Sequence, residues 1–122
     1  MKIFINPGHG GADCGAVGNG LNERDVVLNI GKRVENYLRA VGYDVKLFQY
    51  DGLQAICDDA NDFNADLFVS IHCNAVDNPE AHGTETFYAS PVEENFARAI
   101  ARGVTDYFAL PLPDVIDSPI GL

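Results

Sequence analysis

At 122 residues the chain has room for one domain with a single core, and 47% of it is hydrophobic. Its 18 acidic against 8 basic residues give a formal charge of −10, a field that repels phosphate backbones and argues against nucleic acid and anionic membranes as partners. No apolar run approaches the ~20 residues that cross a bilayer, and Met1 leads straight into a hydrophobic run, so neither a membrane span nor a signal peptide is expected.

Taken in order, Lys2-Ile3-Phe4-Ile5 reads as a short buried strand, stopped by Pro7-Gly8. The turn Asn6-Pro7-Gly8-His9-Gly10-Gly11 follows, with glycines on both sides of His9. Residues 12–20 hold too many glycines and small residues for a strand or helix and read as a loop. A helical pattern then opens at Leu21-Asn22-Glu23, with Val27, Ile30, Val34, Tyr37, Leu38 and Val41 at three- and four-residue spacing. Asn22 is its expected N-cap, Glu23 and Asp25 complement the dipole, and Gly42 ends it.

Asp44 to Tyr50 alternates as a second strand. Leu53 to Phe63 reads as a helix with Leu53, Ile56, Cys57, Ala60 and Phe63 on one side. Asp66 to Ile71 is a buried-type strand that runs directly into His72. After a loop comes a fourth strand, Gly83 to Tyr88, rich in β-formers. Ser90 and Pro91 are the expected N-cap and first position of a third helix running through Phe96, Ile100, Val104 and Phe108. No element is expected in Leu110 to Leu122, with its three prolines. The order β-α-β-α-β-β-α predicts an α/β fold, a mainly parallel sheet flanked by helices.

His9 and His72 thus occupy equivalent places, at the carboxyl ends of two strands that can lie side by side, where α/β sheets put their ligands. Glu23 opens the helix leaving the same end. Two imidazoles and a carboxylate suit zinc and leave a fourth position open for water. Each residue also has a structural reading: His9 as a histidine bonding a neighbour in its turn, Glu23 as a dipole complement, His72 as a hydrogen-bonded strand-end histidine. The three cysteines, Cys14, Cys57 and Cys73, have no C-x-x-C spacing, which disfavours a disulfide framework or thiolate zinc knuckle. They read as small, partly buried hydrophobes, although Cys14, in the loop, could serve as a soft ligand. Cys73 should point away from His72 if the strand continues.

Four blocks carry a resemblance: Asn6 to Gly11, Leu21 to Asn29, Ala65-Asp66-Leu67-Phe68-Val69-Ser70-Ile71-His72-Cys73-Asn74-Ala75, and Gly83-Thr84-Glu85-Thr86-Phe87-Tyr88. In this order they resemble the zinc-dependent N-acetylmuramoyl-L-alanine amidases of bacteria and phages, which cut the bond between muramic acid and the peptide stem of peptidoglycan. The resemblance implies zinc held by His9, Glu23 and His72. It also implies a substrate of peptidoglycan or muropeptides, a monomer, and action at the cell wall or outside the cell.

The family's catalytic glutamate, late in the domain on a strand followed by Gly-Phe, has no counterpart here, and its final strands and closing helix are expected to be absent. On this reading residues 1–122 form one amidase-like catalytic domain, incomplete at its C-terminus. Glu85 is then a candidate substitute base, and Asn74 a candidate substrate contact. His82 reads as an exposed loop histidine. Two further readings stay open: a zinc- or muropeptide-binding module with impaired turnover, and a Cys–His hydrolase, which would need a thiol activated by a histidine.

Overall fold

In the computed structural model, which describes residues 1–108 and 114–117, the elements run β1 (Lys2–Pro7), β2 (Val17–Gly18), β3 (Leu21–Asn22), α1 (Glu23–Ala40), β4 (Asp44–Leu47), α2 (Leu53–Asp62), β5 (Leu67–Ile71), β6 (Glu85–Tyr88), α3 (Glu94–Phe108) and β7 (Asp114–Asp117). They fall into two compact units, Met1–Ala75 and Val76–Leu122. In the first, β1 lies between β4 and β5 with both pairings parallel. This is the expected α/β sheet, and it sets the two strands that precede His9 and His72 side by side.

The central position of β1 explains its composition. A parallel strand covered on both faces needs a continuous apolar run rather than an alternating one. Ile3 and Ile5 pack with Val45 on one face, against Val34 and Leu38 of α1. Phe4 turns to the other face and meets Ile56 and Ala60 of α2, with its ring stacked 5.5 Å from that of Phe68.

Helix α1 begins where expected. The Asn22 side chain accepts the Asp25 N–H at 3.0 Å, an N-cap that contributes about 1 kcal/mol. At the other end Gly42 has φ +101°, Gly42 N–H donates to the Arg39 carbonyl and Tyr43 N–H to that of Leu38, a Schellman stop. The buried stripe differs from the one expected. Ile30, Tyr37 and Val41 are exposed, and the face turned inward is Val27, Gly31, Val34 and Leu38. Gly31 sits so close to β1 that a Cβ there would lie 2.8 Å from Cγ of Pro7. The helix approaches the strand through a missing side chain, which a hydrophobic pattern cannot display.

Three further expectations are corrected. The loop over residues 12–20 contains β2, which pairs antiparallel with β3 in a ladder of two residues each. So short a hairpin has no periodicity to detect. The third helix starts at Glu94, not at Pro91: residues 91–93 form a turn in which Glu93 N–H donates to the Ser90 carbonyl and the Glu93 carboxylate accepts from Ala89 and Ser90 N–H. Its buried face is Ala97, Ala101 and Thr105, while Phe96 and Ile100 are exposed. The tail holds β7, which pairs parallel with β6 from Glu85↔Asp114 to Tyr88↔Asp117, so strand structure does follow α3. The remainder of Leu110 to Leu122 lies outside the described residues.

Candidate metal centre

Beyond Pro7 the ladder continues for one more bond, from Gly8 N–H to the Ile71 carbonyl at 2.8 Å. This bond fixes the level of the turn against the end of β5. His9 then takes a left-handed backbone, φ 62°, a conformation that costs a non-glycine residue about 1–3 kcal/mol and aims its side chain out of the strand direction. Gly10 and Asp13 exchange backbone hydrogen bonds of 3.0 and 2.9 Å, folding residues 10–13 into a tight hairpin. Asp13 is thereby brought back beneath the imidazole, its Oδ2 at 2.8 Å from His9 Nδ1, while its Oδ1 accepts Gly15 N–H at 2.9 Å.

Two glycines do more than permit bends. A Cβ on Gly8 would lie 2.3–2.7 Å from atoms of the His72 ring, and one on Gly15 would lie 2.6–2.8 Å from the His9 ring. Each histidine occupies the space that the other residue's side chain would need.

The third group arrives with α1. Glu23 N–H donates to the Ala16 carbonyl and Arg24 N–H to that of Cys14, so the start of the helix is stitched to the loop. The Glu23 carboxylate is only 4% exposed and is held by two backbone donors, Ala16 N–H to Oε2 at 3.1 Å and Cys73 N–H to Oε1 at 2.6 Å. His9 Nε2 lies 3.0 Å from Oε2 and His72 Nδ1 lies 3.3 Å from Oε1. The two rings meet edge to face with centroids 5.2 Å apart. One donor atom from each of His9, Glu23 and His72 can be chosen so that all lie within 4.8 Å of one another. Gln49 ties the pieces together, its side-chain amide donating to the carbonyls of both Gly8 and Arg24, while Arg24 Nη1 donates to that of Gly11.

Electrostatics follow from these contacts. Burial alone would raise the Glu23 carboxyl, but the N–H groups of Ala16 and Cys73 and the neighbouring His9 outweigh it and hold the group below the usual carboxylate range. The hydrogen bond that His9 donates to Asp13 raises the His9 imidazole; burial opposes it, and the Glu23 charge adds to the rise. An anionic Glu23 between two imidazoles is a donor set that fits zinc, whose sites combine histidine nitrogen with carboxylate oxygen.

The other sequence-derived candidates are not members of the His9, Glu23 and His72 cluster among the described residues. Asn74 is exposed, two residues past His72. Glu85 and His82 belong to the second unit, where both are exposed and His82 Nδ1 contacts the Glu80 carbonyl at 2.8 Å. Cys14 directs its thiol to the Gly15 carbonyl, and among the described residues the metal-competent group does not include it. Strand β5 ends before Cys73, and that residue serves the site through its backbone N–H; burial and then the Glu23 charge raise its thiol, which works against a thiolate nucleophile. Sequence reasoning missed Asp13, Gln49 and the backbone donors to Glu23. Only Asp13 left a readable trace, as a carboxylate one tight turn beyond the histidine.

This fold, with its site at the carboxyl ends of adjacent parallel strands, has known counterparts. A family profile described as N-acetylmuramoyl-L-alanine amidase matches residues 3–115. The chain belongs to the N-acetylmuramoyl-L-alanine amidase family. It is 40% identical over 114 residues to N-acetylmuramoyl-L-alanine amidase LytC of Bacillus subtilis (strain 168), a match covering 90% of this chain and 23% of that protein. Amidase AmiA of Escherichia coli (strain K12) is 40% identical over 97 residues, covering 72% of this chain and 32% of its own length. Among solved structures, amidase AmiC2 of Nostoc punctiforme superposes with a TM-score of 0.89 at 34% identity, covering 97% of this chain and 69% of that one. The matches thus span 23% and 32% of the length of these two curated relatives.

Proposed function

We propose that this chain is a zinc-dependent hydrolase that cleaves the amide between N-acetylmuramic acid and L-alanine in peptidoglycan, with His9, Glu23 and His72 as the metal ligands. The observation that carries the reading is the buried Glu23 carboxylate, kept anionic by two backbone N–H groups and facing an imidazole on each oxygen. A zinc ion supplies Lewis-acid polarisation of the scissile carbonyl and makes water acidic enough to attack near neutral pH. The chain's own part is to orient donors. Asp13 and the left-handed turn hold His9, the end of β5 delivers His72, and the first turn of α1 fixes Glu23.

Residues 1–122 act on this reading as one amidase-like domain, a monomer working on peptidoglycan or muropeptides at the cell wall or outside the cell. Asn74, just beyond His72, is the candidate contact for the stem peptide. Among the described residues the cluster itself supplies no spare base: Glu23 serves as a ligand, and Asp13 is engaged by His9 and Gly15. That observation favours the second reading, a zinc- and muropeptide-binding module with impaired turnover, and leaves Glu85 as the candidate substitute base.

One pair of measurements separates these. Isothermal titration with zinc should show one site, lost in His72→Ala; no binding to the wild type removes the assignment of all three ligands. Release of dye from labelled peptidoglycan then reads turnover. Activity that falls about 10²–10⁴-fold in Glu85→Gln makes Glu85 the base. Zinc binding without release supports the binding module.

A further inference from the structure

We propose that Asp13 is a positioning residue that selects the tautomer of His9, holding the proton on Nδ1 so that the Nε2 lone pair faces Glu23 and His72. The inference rests on the reading of His9 as a metal ligand and adds to it a residue that touches neither metal nor substrate.

The geometry is specific. His9 has two ring nitrogens and a carboxylate near each, Asp13 Oδ2 at 2.8 Å from Nδ1 and Glu23 Oε2 at 3.0 Å from Nε2. A neutral imidazole carries one proton, and the nitrogen that keeps it cannot coordinate. If the proton rests on Nε2, the ring presents N–H to the cluster and the site is closed to a cation. If it rests on Nδ1, the lone pair points at the cluster.

Asp13 is built to impose the second state. Its Oδ1 is committed to the Gly15 N–H at 2.9 Å, a donor that cannot change its character. That bond, together with the exchange of backbone bonds between Gly10 and Asp13, orients Oδ2 toward Nδ1. Both facing oxygens can only accept, and Asp13 Oδ2 is the nearer to its nitrogen, 2.8 Å against 3.0 Å for Glu23 Oε2, so the single proton of the neutral ring is assigned to Nδ1. Carboxylates on the far nitrogen of metal-binding histidines act in this manner, and losing one costs about 10–100-fold in metal affinity.

The fixed donor of Gly15 makes the conservative substitution the informative one. In Asp13→Asn the amide oxygen must stay with Gly15 N–H, because an amide nitrogen there would set two donors against each other. The NH2 group then faces His9 Nδ1, turns that nitrogen into an acceptor and moves the proton to Nε2, the wrong side. Asp13→Ala removes the partner and leaves the tautomer free, with water able to reach the site. A tautomer-selecting Asp13 therefore predicts a larger loss in Asn than in Ala. A role confined to shaping the loop predicts the reverse, since asparagine keeps the shape and the bond to Gly15.

The test uses the full chain. Zinc affinity is measured by competition with a fluorescent chelator for the wild type and both variants, with circular dichroism confirming folding. Long-range proton–nitrogen NMR of the metal-free wild type, with neutral imidazoles, reads the His9 tautomer directly and needs no variant. The expected result is a proton on Nδ1, affinity about 10–100-fold weaker in Asp13→Asn, and a smaller loss in Asp13→Ala. A proton mainly on Nε2 in the wild type, or a loss in Asn no greater than in Ala, overturns the proposal. Wild-type protein that binds no zinc overturns the metal reading and this inference together; normal zinc binding with unaffected variants overturns this inference alone.

Discussion

The two histidines of the site follow neighbouring strands yet are held in different ways. His9 is positioned locally: its strained backbone, the Gly10–Asp13 hairpin and the Gly15 N–H all lie within a few residues of it. His72 is positioned by topology, because it follows a strand whose place is set by pairing with β1 and by the bond from Gly8 to Ile71. Glu23 joins the two, with one oxygen toward each ring and its backbone donors drawn from Ala16 and Cys73 on either side. A local device tolerates changes elsewhere in the sheet; a topological one inherits them.

The largest test removes the joint. Glu23→Gln should weaken zinc binding by more than the ~100-fold that outer partners of metal ligands control, because it deletes a ligand and the charge between the imidazoles. Calorimetric titration checks this, and near-normal affinity would mean that the histidines do not share Glu23. For the wild type, zinc at 100 times its Kd should add about 2.7 kcal/mol to unfolding stability, a gain that EDTA abolishes.

Paired glycine substitutions separate the two modes of positioning. Gly8→Ala and Gly15→Ala each drive a methyl into a histidine ring, and each should cost about 1–3 kcal/mol in urea unfolding as well as zinc affinity. Gly15 also has φ +66°, so its alanine variant should be less stable than the Gly8 one by about 1 kcal/mol more. Equal losses would show that the loop relaxes around His9 more readily than β5 does around His72.

Asn22→Ala is expected to cost about 1 kcal/mol through the lost cap, with zinc affinity nearly unchanged because the Ala16 and Cys73 donors still hold Glu23. The smallest effect is one of pH in the metal-free chain. Asp13 first, then Glu23 against opposing burial, raise His9 above 6.5 in the folded state. Stability from this charge is therefore complete below about pH 6.5 and is lost as pH rises through the raised folded value. Urea midpoints at several pH values should show that slope, and Asp13→Ala should flatten it.

Much of this arrangement was legible in the sequence where the signal is local or strongly periodic. The run Lys2 to Ile5, the cap at Asn22, the stop at Gly42 and the strand leading to His72 all formed close to where pattern and capping residues placed them. His9, Glu23 and His72 could be linked because each sits at the same end of its own element. What stayed hidden depends on other parts of the chain. Gly31 faces inward only because Pro7 passes close by, and α3 buries Ala97 and Ala101 while Phe96 and Ile100, which dominate its hydrophobic pattern, stay exposed. Two-residue strands such as β2 and β3 carry no period at all. The backbone donors to Glu23 come from residues whose side chains say nothing about the role.

The bond between Gly8 and Ile71 has a consequence for how the chain reaches its native state. It extends a register in which Phe4 faces Phe68 and Pro7 faces Ile71. A slip of one residue between these strands would turn every β5 side chain to the opposite face of the sheet. His72 would then leave Glu23, and the metal would have one imidazole fewer. If His9, Glu23 and His72 hold a metal as proposed, strand alignment and metal capture would be checked together: a misregistered sheet would turn its apolar side chains to the wrong faces and would also forfeit the ion.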